Sequence, residues 1–139
     1  MELRIKRLSE NARLPLRATR GSAGLDLFSA ESISINPNSQ IIVKTDLAIK
    51  SPENTFIKLA DRSSLAIKKI RVAGGIIDSD FTGNISVILH NYGEFSYEIE
   101  KGQRICQMLI IPTVFPTLTE VEKLIETERS GNGFGSSGL

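Results

Sequence analysis

What most constrains this chain is the spacing of its apolar runs. They are short, rich in Ile, Val, Leu and Phe, and recur at intervals near the ~8–12 residues of an all-β sandwich or barrel. In order they are Leu3 to Ile5, Leu25 to Ser29, Ile33 to Ile35, Ile41 to Ile49, Thr55 to Leu59, Ile85 to Leu89, Phe95 to Ile99 and Ile105 to Ile111. The last is nearly continuous, the pattern of a strand buried on both faces. Turn residues punctuate them at Pro37-Asn38, Ser51-Pro52-Glu53-Asn54, Gly74-Gly75, Asn91-Tyr92-Gly93-Glu94 and Lys101-Gly102. A short helix is expected over Ser63 to Lys69, where small hydroxyl residues precede Leu65 and Ala66. Thr119 to Glu126 offers a capping pair, Thr119 and Glu122, yet its position between Pro116 and a glycine-rich tail equally suits an edge strand. With no internal repeat and no linker, the 139 residues read as one β domain over 1–127 and a C-terminal arm over 128–139.

Charge narrows the partners. Lys+Arg total 17 against 16 Asp+Glu, so no overall field marks a polyanion binder. The N-terminal cations Arg4, Lys6, Arg7, Arg13, Arg17 and Arg20 are interrupted by Glu2 and Glu10 and read as a solvated rim, so no nucleic-acid partner is expected. The charged start and the lack of any run near ~18 apolar residues argue for a soluble, intracellular chain with no membrane partner, cytoplasmic or nuclear left open. Cys106 and His90 are each single, which removes a disulfide framework and a Cys/His metal centre. Any metal must be held by oxygen.

Five segments place polar or acidic groups among glycines where packing alone does not ask for them: Ala23 to Leu27, Asp61 to Ala66, Gly75 to Gly83, Gly102 to Met108, and Arg129 to Gly138. In the second, Arg62 with Ser63 and Ser64 at a helix start supplies a planar cation, hydroxyls and free N–H groups for an anion, although a surface Arg beside an ordinary Ser cap has the same sequence. In the third, Asp78 or Asp80 among apolar neighbours could hold a water and accept its proton, or close a hairpin as an Asx turn. Alternation along Ile76, Ile77 and Asp78 favours Asp78. The last segment cannot hold itself folded; it either frays or acts as a lid, with Phe134 to stack on a planar base and Arg129 to meet phosphate.

In order and spacing these five segments resemble the trimeric deoxyuridine triphosphatase (dUTPase) family, from Ala23 to Gly138. The family patterns AGxDL, PRSGLA, GVIDxDYxG, GxRIAQ and RGxGGFGSTG correspond here to AGLDL, DRSSLA, GIIDSDFTG, GQRICQ and RSGNGFGSSG. The resemblance implies a jelly-roll-like, β-clip barrel fold, all-β with one short helix and a flexible arm. It also implies a homotrimer with active sites at subunit interfaces, and Mg2+-assisted hydrolysis of dUTP to dUMP and pyrophosphate, limiting uracil in DNA and supplying dUMP for dTMP synthesis.

Carried over by motif, Asp78 matches the family's water-activating acid. Arg62, Ser63, Ser64, Gln107, Arg129, Gly135 and Ser136 match phosphate-contacting positions. Gly75, Ile76 and Ile77, expected in a hairpin before Asp78, would read uracil with backbone groups; Phe81 would pack on the sugar and Phe134 cover the base. Asp26 matches an acid acting on the metal through water, the Mg2+ itself being held mainly by substrate phosphates, with no all-protein cage. Five positions are singled out as departing from the pattern. Phe81 replaces Tyr; Ser64, Ser130 and Asn132 replace glycines, the last two stiffening the arm. A fifth, Asp61, replaces Pro and is expected to pair with Arg62 at rest and weaken phosphate binding.

Two rivals remain at this level. The dCTP deaminases share the fold and an RSS sequence like Arg62-Ser63-Ser64, but their pattern continues into an Arg where Ile67 stands and places a catalytic Glu where Ile88 stands. Their Pro-Gly after Ile-Asp is Ser79-Asp80 here. A non-catalytic binding module of the same fold is the other; intact Asp78, Arg62 and Arg129 argue against it. His90 and Cys106 read as packing residues, and Tyr92 and Tyr97 as hairpin surface.

Overall fold

A computed structural model describes residues 2–138. Ten strands and one helix follow in chain order: β1 (Arg4–Arg7), β2 (Leu25–Phe28), β3 (Ile33–Ile35), β4 (Ser39–Lys50), β5 (Thr55–Ala60), α1 (Ser63–Ala66), β6 (Ile70–Ala73), β7 (Ile76–Ile77), β8 (Asn84–Asn91), β9 (Tyr97–Ile99) and β10 (Arg104–Pro112). They form two four-stranded antiparallel sheets, β1-β4-β8-β6 and β2-β10-β5-β7, and a two-stranded ribbon, β3-β9. The class is all-β with one short helix, as the spacing predicts. No closed barrel forms, because each sheet keeps free edge strands among the described residues.

Both large sheets feed one core. Val43, Leu47, Ile85, Val87 and Leu89 enter from one, and Leu27, Ile57, Leu59, Ile105 and Met108 from the other. Along β8 every second residue, Ile85 to Asn91, is buried. A one-residue slip would expose Ile85, Val87 and Leu89 together, at about 1.5–3 kcal/mol each, so the register is strongly specified.

One bulge is built around a carboxylate. Pairing of β4 with β8 shifts between Lys44 and Ala48, and Asp46 sits there in left-handed backbone at φ 53°. Its carboxylate accepts from Ser9 Oγ at 2.7 Å and from Asn84 Nδ2 at 2.8 Å, while its own N–H donates to Asn84 Oδ1 at 3.0 Å. The hydrogen bonds from Ser9 and Asn84 stabilise the carboxylate and hold its pKa below the ordinary value.

Local expectations fail where partners are distant. The helix covers only Ser63–Ala66, because Lys69 takes left-handed backbone at φ 62° and Ile70, fully buried, starts β6, a strand the spacing did not indicate. The bend at Asn91 to Glu94 joins no hairpin, since β9 pairs with β3. Asn91, buried, holds it by donating Nδ2 to the carbonyls of Ile35 and Phe95 and accepting the Gly93 N–H. Likewise Gly74-Gly75 closes no hairpin before Asp78; β6 and β7 lie in different sheets. Residues 119–126 are neither helix nor strand.

Candidate active site

Three neighbouring strands set one row of the site. Asp26 of β2 stands opposite Gln107 of β10, and Gln107 opposite Ala60 at the end of β5. Asp61 and Arg62 then turn the chain into α1, where Arg62 donates through Nε to Asp26 Oδ1 at 3.1 Å and through Nη1 to Ser64 Oγ at 3.3 Å. Gln107 Nε2 donates to the Asp61 carbonyl at 2.8 Å. Gly24 permits this approach: a Cβ there would lie 2.9 Å from Gln107 Oε1 and 3.2 Å from the Met108 carbonyl oxygen.

Arg104 was not singled out by the sequence, although it lies in a flagged segment. Its Nη1 comes within 3.4 Å of Asp26 Oδ2. The Asp26 side chain, 12% exposed, is thus shared between two guanidiniums that are 24% and 43% exposed. Two cations on one carboxylate leave net positive charge at the surface, and Ser63 and Ser64 open α1 with no side-chain cap. Such a cluster suits a multiply charged anion. Among the described residues no three acidic, His or Cys side chains gather as a metal site. With Asp26 already paired on both oxygens, a hard cation would bring most of its oxygen ligands as water or anion.

Cys106 lies beneath this row, fully buried. Burial, and next the charge of Asp26, push its thiol up to about 12, with Arg62 pulling the other way. It stays protonated and inert, a packing residue as expected. His90 stacks against Tyr92 with ring centroids 3.9 Å apart.

The expected pairing of Asp61 with Arg62 does not occur. Asp61 Oδ2 accepts from Arg71 Nε at 2.6 Å and Oδ1 from the Val72 N–H at 2.6 Å, while Arg62 turns to Asp26. Arg71 is ten residues away on a strand of the other sheet, so no local pattern announces it.

Asp78 stands elsewhere on the same sheet. Gly75, in left-handed backbone at φ 92°, accepts the Leu59 N–H at 2.7 Å, and a Cβ on it would meet the Leu59 carbonyl oxygen at 2.7 Å. Ile76 and Ile77 then pair with Lys58 and Ile57, leaving the outer edge of β7 without a neighbour among the described residues. Asp78 follows, exposed, in a turn closed by the Phe81 N–H on its carbonyl at 3.1 Å and braced by Lys50 Nζ on the Ser79 carbonyl at 2.6 Å. Phe81, 44% exposed, rests its ring against Gly83. A cleft of about 460 Å³ opens here, lined by Phe56, Ile76, Asp78, Asp80, Thr113 and Phe115 among others.

The pairing of Ile77 with Ile57 puts Asp78 level with Phe56, which faces Ile111, four residues along β10 from Gln107. That is about 13 Å along the sheet and about 10 Å across it. The acid and the cationic row do not meet within one chain. The arm joins neither: Arg129, Phe134, Gly135 and Ser136 are exposed, and among the described residues the hydrogen bonds of 127–138 run only within it. Left-handed backbone in the arm falls on Ser130 and Phe134 as well as on glycines, not on Asn132.

Comparison with known proteins agrees with these segments. The family model described as dUTPase matches residues 10–138. The deoxyuridine 5'-triphosphate nucleotidohydrolase of Mus musculus is 45% identical over 137 residues, covering 98% of this chain and 85% of the mouse protein. That of Clostridium tetani is 42% identical, covering 98% of this chain and 96% of its own length. Among solved structures, the dUTPase of Staphylococcus bacteriophage 80alpha with dUPNHPP superimposes with a TM-score of 0.94 at 34% identity, covering 99% of both chains.

Proposed function

The chain belongs to the dUTPase family, and from that premise we propose that it hydrolyses dUTP to dUMP and pyrophosphate at sites assembled between the subunits of a homotrimer. Water held by Asp78 loses a proton to the carboxylate as its oxygen bonds to the α-phosphorus; the bond from that phosphorus to the bridging oxygen breaks in line, and pyrophosphate leaves. Arg62, Ser63, Ser64 and Gln107 hold the phosphates, joined by Arg129, Gly135 and Ser136 as the arm 128–139 closes over the domain 1–127. Charge that builds on the leaving group is offset by the two arginines.

Mg2+ is the cofactor of this reading; bound through the phosphates, with Asp26 reaching it through water, it would neutralise phosphate charge. Uracil is read by the backbone of Gly75, Ile76 and Ile77; the outer edge of β7, Ile76–Ile77, has no neighbour among the described residues. Phe81 packs on the deoxyribose and Phe134 covers the base. In a cell this reaction limits uracil in DNA and supplies dUMP for dTMP synthesis.

The single observation that carries the assembly is the separation of Asp78 from Arg62 and Gln107 on one sheet. A base must come within hydrogen-bond reach of its water, so acid and phosphate ligands that lie this far apart must come from different copies. The stretch after β10 supports the same reading: Leu118, Leu124 and Ile125 are 85–93% exposed, more apolar surface than an isolated monomer usually leaves uncovered. The test is pyrophosphate release from dUTP, dCTP, dTTP and UTP, with and without Mg2+. Release from dUTP alone, and only with Mg2+, is expected; ammonia release from dCTP would transfer the chain to the deaminases. The described residues contain no helix long and apolar enough to cross a membrane.

A further inference from the structure

Two of the groups proposed to take phosphate, Gln107 and Arg62, adjoin one residue that is not itself among the proposed ligands. Asp61 ends the run out of β5. Its carbonyl receives the Gln107 amide at 2.8 Å, and the residue after it is Arg62, whose guanidinium lies on Asp26 and Ser64. Its carboxylate faces the opposite way, taking Arg71 Nε and the Val72 N–H, each at 2.6 Å, from β6 of the other sheet. The side chain is only 27% exposed and both oxygens are engaged. Asp61 therefore stitches the two sheets together at the point where the anion-facing loop leaves one of them.

We propose that Asp61 is a positioning residue: anchored on Arg71 and Val72, it presets Arg62, Ser63, Ser64 and the Gln107 amide for the triphosphate. The proposal rests on the reading of those four as phosphate ligands. It predicts a sign opposite to simple charge. If Asp61 acted only as a negative charge near the phosphates, removing it would tighten binding, because a like charge is lost. If it acts as an anchor, removing it loosens the cradle and binding weakens, because preset geometry is what turns contacts into affinity.

The experiment compares Asp61→Ala, Asp61→Asn, Arg71→Ala and the Asp61→Ala/Arg71→Ala double variant, measuring KM and kcat for dUTP, affinity for dUMP and for a non-hydrolysable dUTP analogue, and thermal melting. Asp61→Ala is expected to raise KM, and to weaken the analogue, by about tenfold, while kcat falls less than about threefold because Asp78 is untouched. Affinity for dUMP should hold within about twofold, since the β- and γ-phosphates are absent. Asp61→Asn keeps an acceptor for the Val72 N–H and should fall between wild type and Asp61→Ala, alongside Arg71→Ala. The double variant should be no worse than Asp61→Ala, the mark of two residues acting as one unit. Arg71, largely exposed and outside the ligand set, carries the test if Asp61→Ala fails to fold. An active wild type whose Asp61 and Arg71 variants keep or lower KM overturns the positioning role alone. A wild type that releases no pyrophosphate from dUTP overturns the reading beneath it as well.

Discussion

Asp78 and Cys106, both chemically capable side chains, lie in opposite surroundings, one open to solvent and one sealed from it. Asp78 is exposed beside a cleft, and among the described residues its carboxylate has no hydrogen-bond or ion-pair partner. Asp78→Asn keeps the shape and a hydrogen-bonding group but cannot take up the water's proton. Affinity for a dUTP analogue should stay within about tenfold while turnover is almost lost; retained turnover in a single-turnover assay would move the base elsewhere. Cys106 is sealed under Asp26, with its thiol held up to about 12. A thiol whose acidity is suppressed on folding stabilises the fold below its ordinary range near 9 and loses that contribution as pH rises toward the folded value. Wild-type stability should therefore fall faster than that of Cys106→Ala between pH 9 and 11, by about 1 kcal/mol per pH unit, in urea unfolding at each pH.

The arm is the element whose conformation owes least to its own chain. Four glycines among residues 129–138 make ordering costly, and Phe134 is fully exposed. Its hydrogen bonds close only local turns, so nothing in the core depends on it. Deleting residues 129–139 should leave melting temperature and the wild-type oligomeric state unchanged while kcat/KM for dUTP drops by about a hundredfold or more. Normal rates in that truncation would reduce the arm to a frayed end.

At the scale of the assembly, a site drawing Asp78 from one copy and Arg62 from another makes a prediction no single-chain site can share. Asp78→Asn and Arg62→Ala proteins, each nearly inactive, should regain activity when unfolded together and refolded as mixed trimers. With random mixing of equal amounts, about a quarter of the sites pair an intact Asp78 with an intact Arg62. Steady-state rates near that fraction of wild type are expected; mixtures as inactive as their parents would confine the site to one chain.

Reading residues in order was enough for the strand-rich class, the single helix start and the five polar segments, because these depend on contacts within a few positions: alternation, turn residues, a hydroxyl before a helix. Arg62 was nameable for the same reason, standing with two serines at a helix start, whereas Asp26 and Gln107 were named only through the resemblance of their segments to the family patterns. What that order could not reveal is which segments face each other. The Asp61 pair with Arg71, Arg104 on Asp26, Lys50 under the Asp78 turn and β9 against β3 all join residues whose neighbourhood is made by strand order and register. Asp61 is the clearest case. Next to Arg62 in sequence it reads as that residue's counter-ion, yet successive side chains at a strand end point to opposite sides, so one carboxylate went to the other sheet while its neighbour turned to Asp26. The distance from Asp78 to the cationic row likewise exists only once three strands are laid side by side.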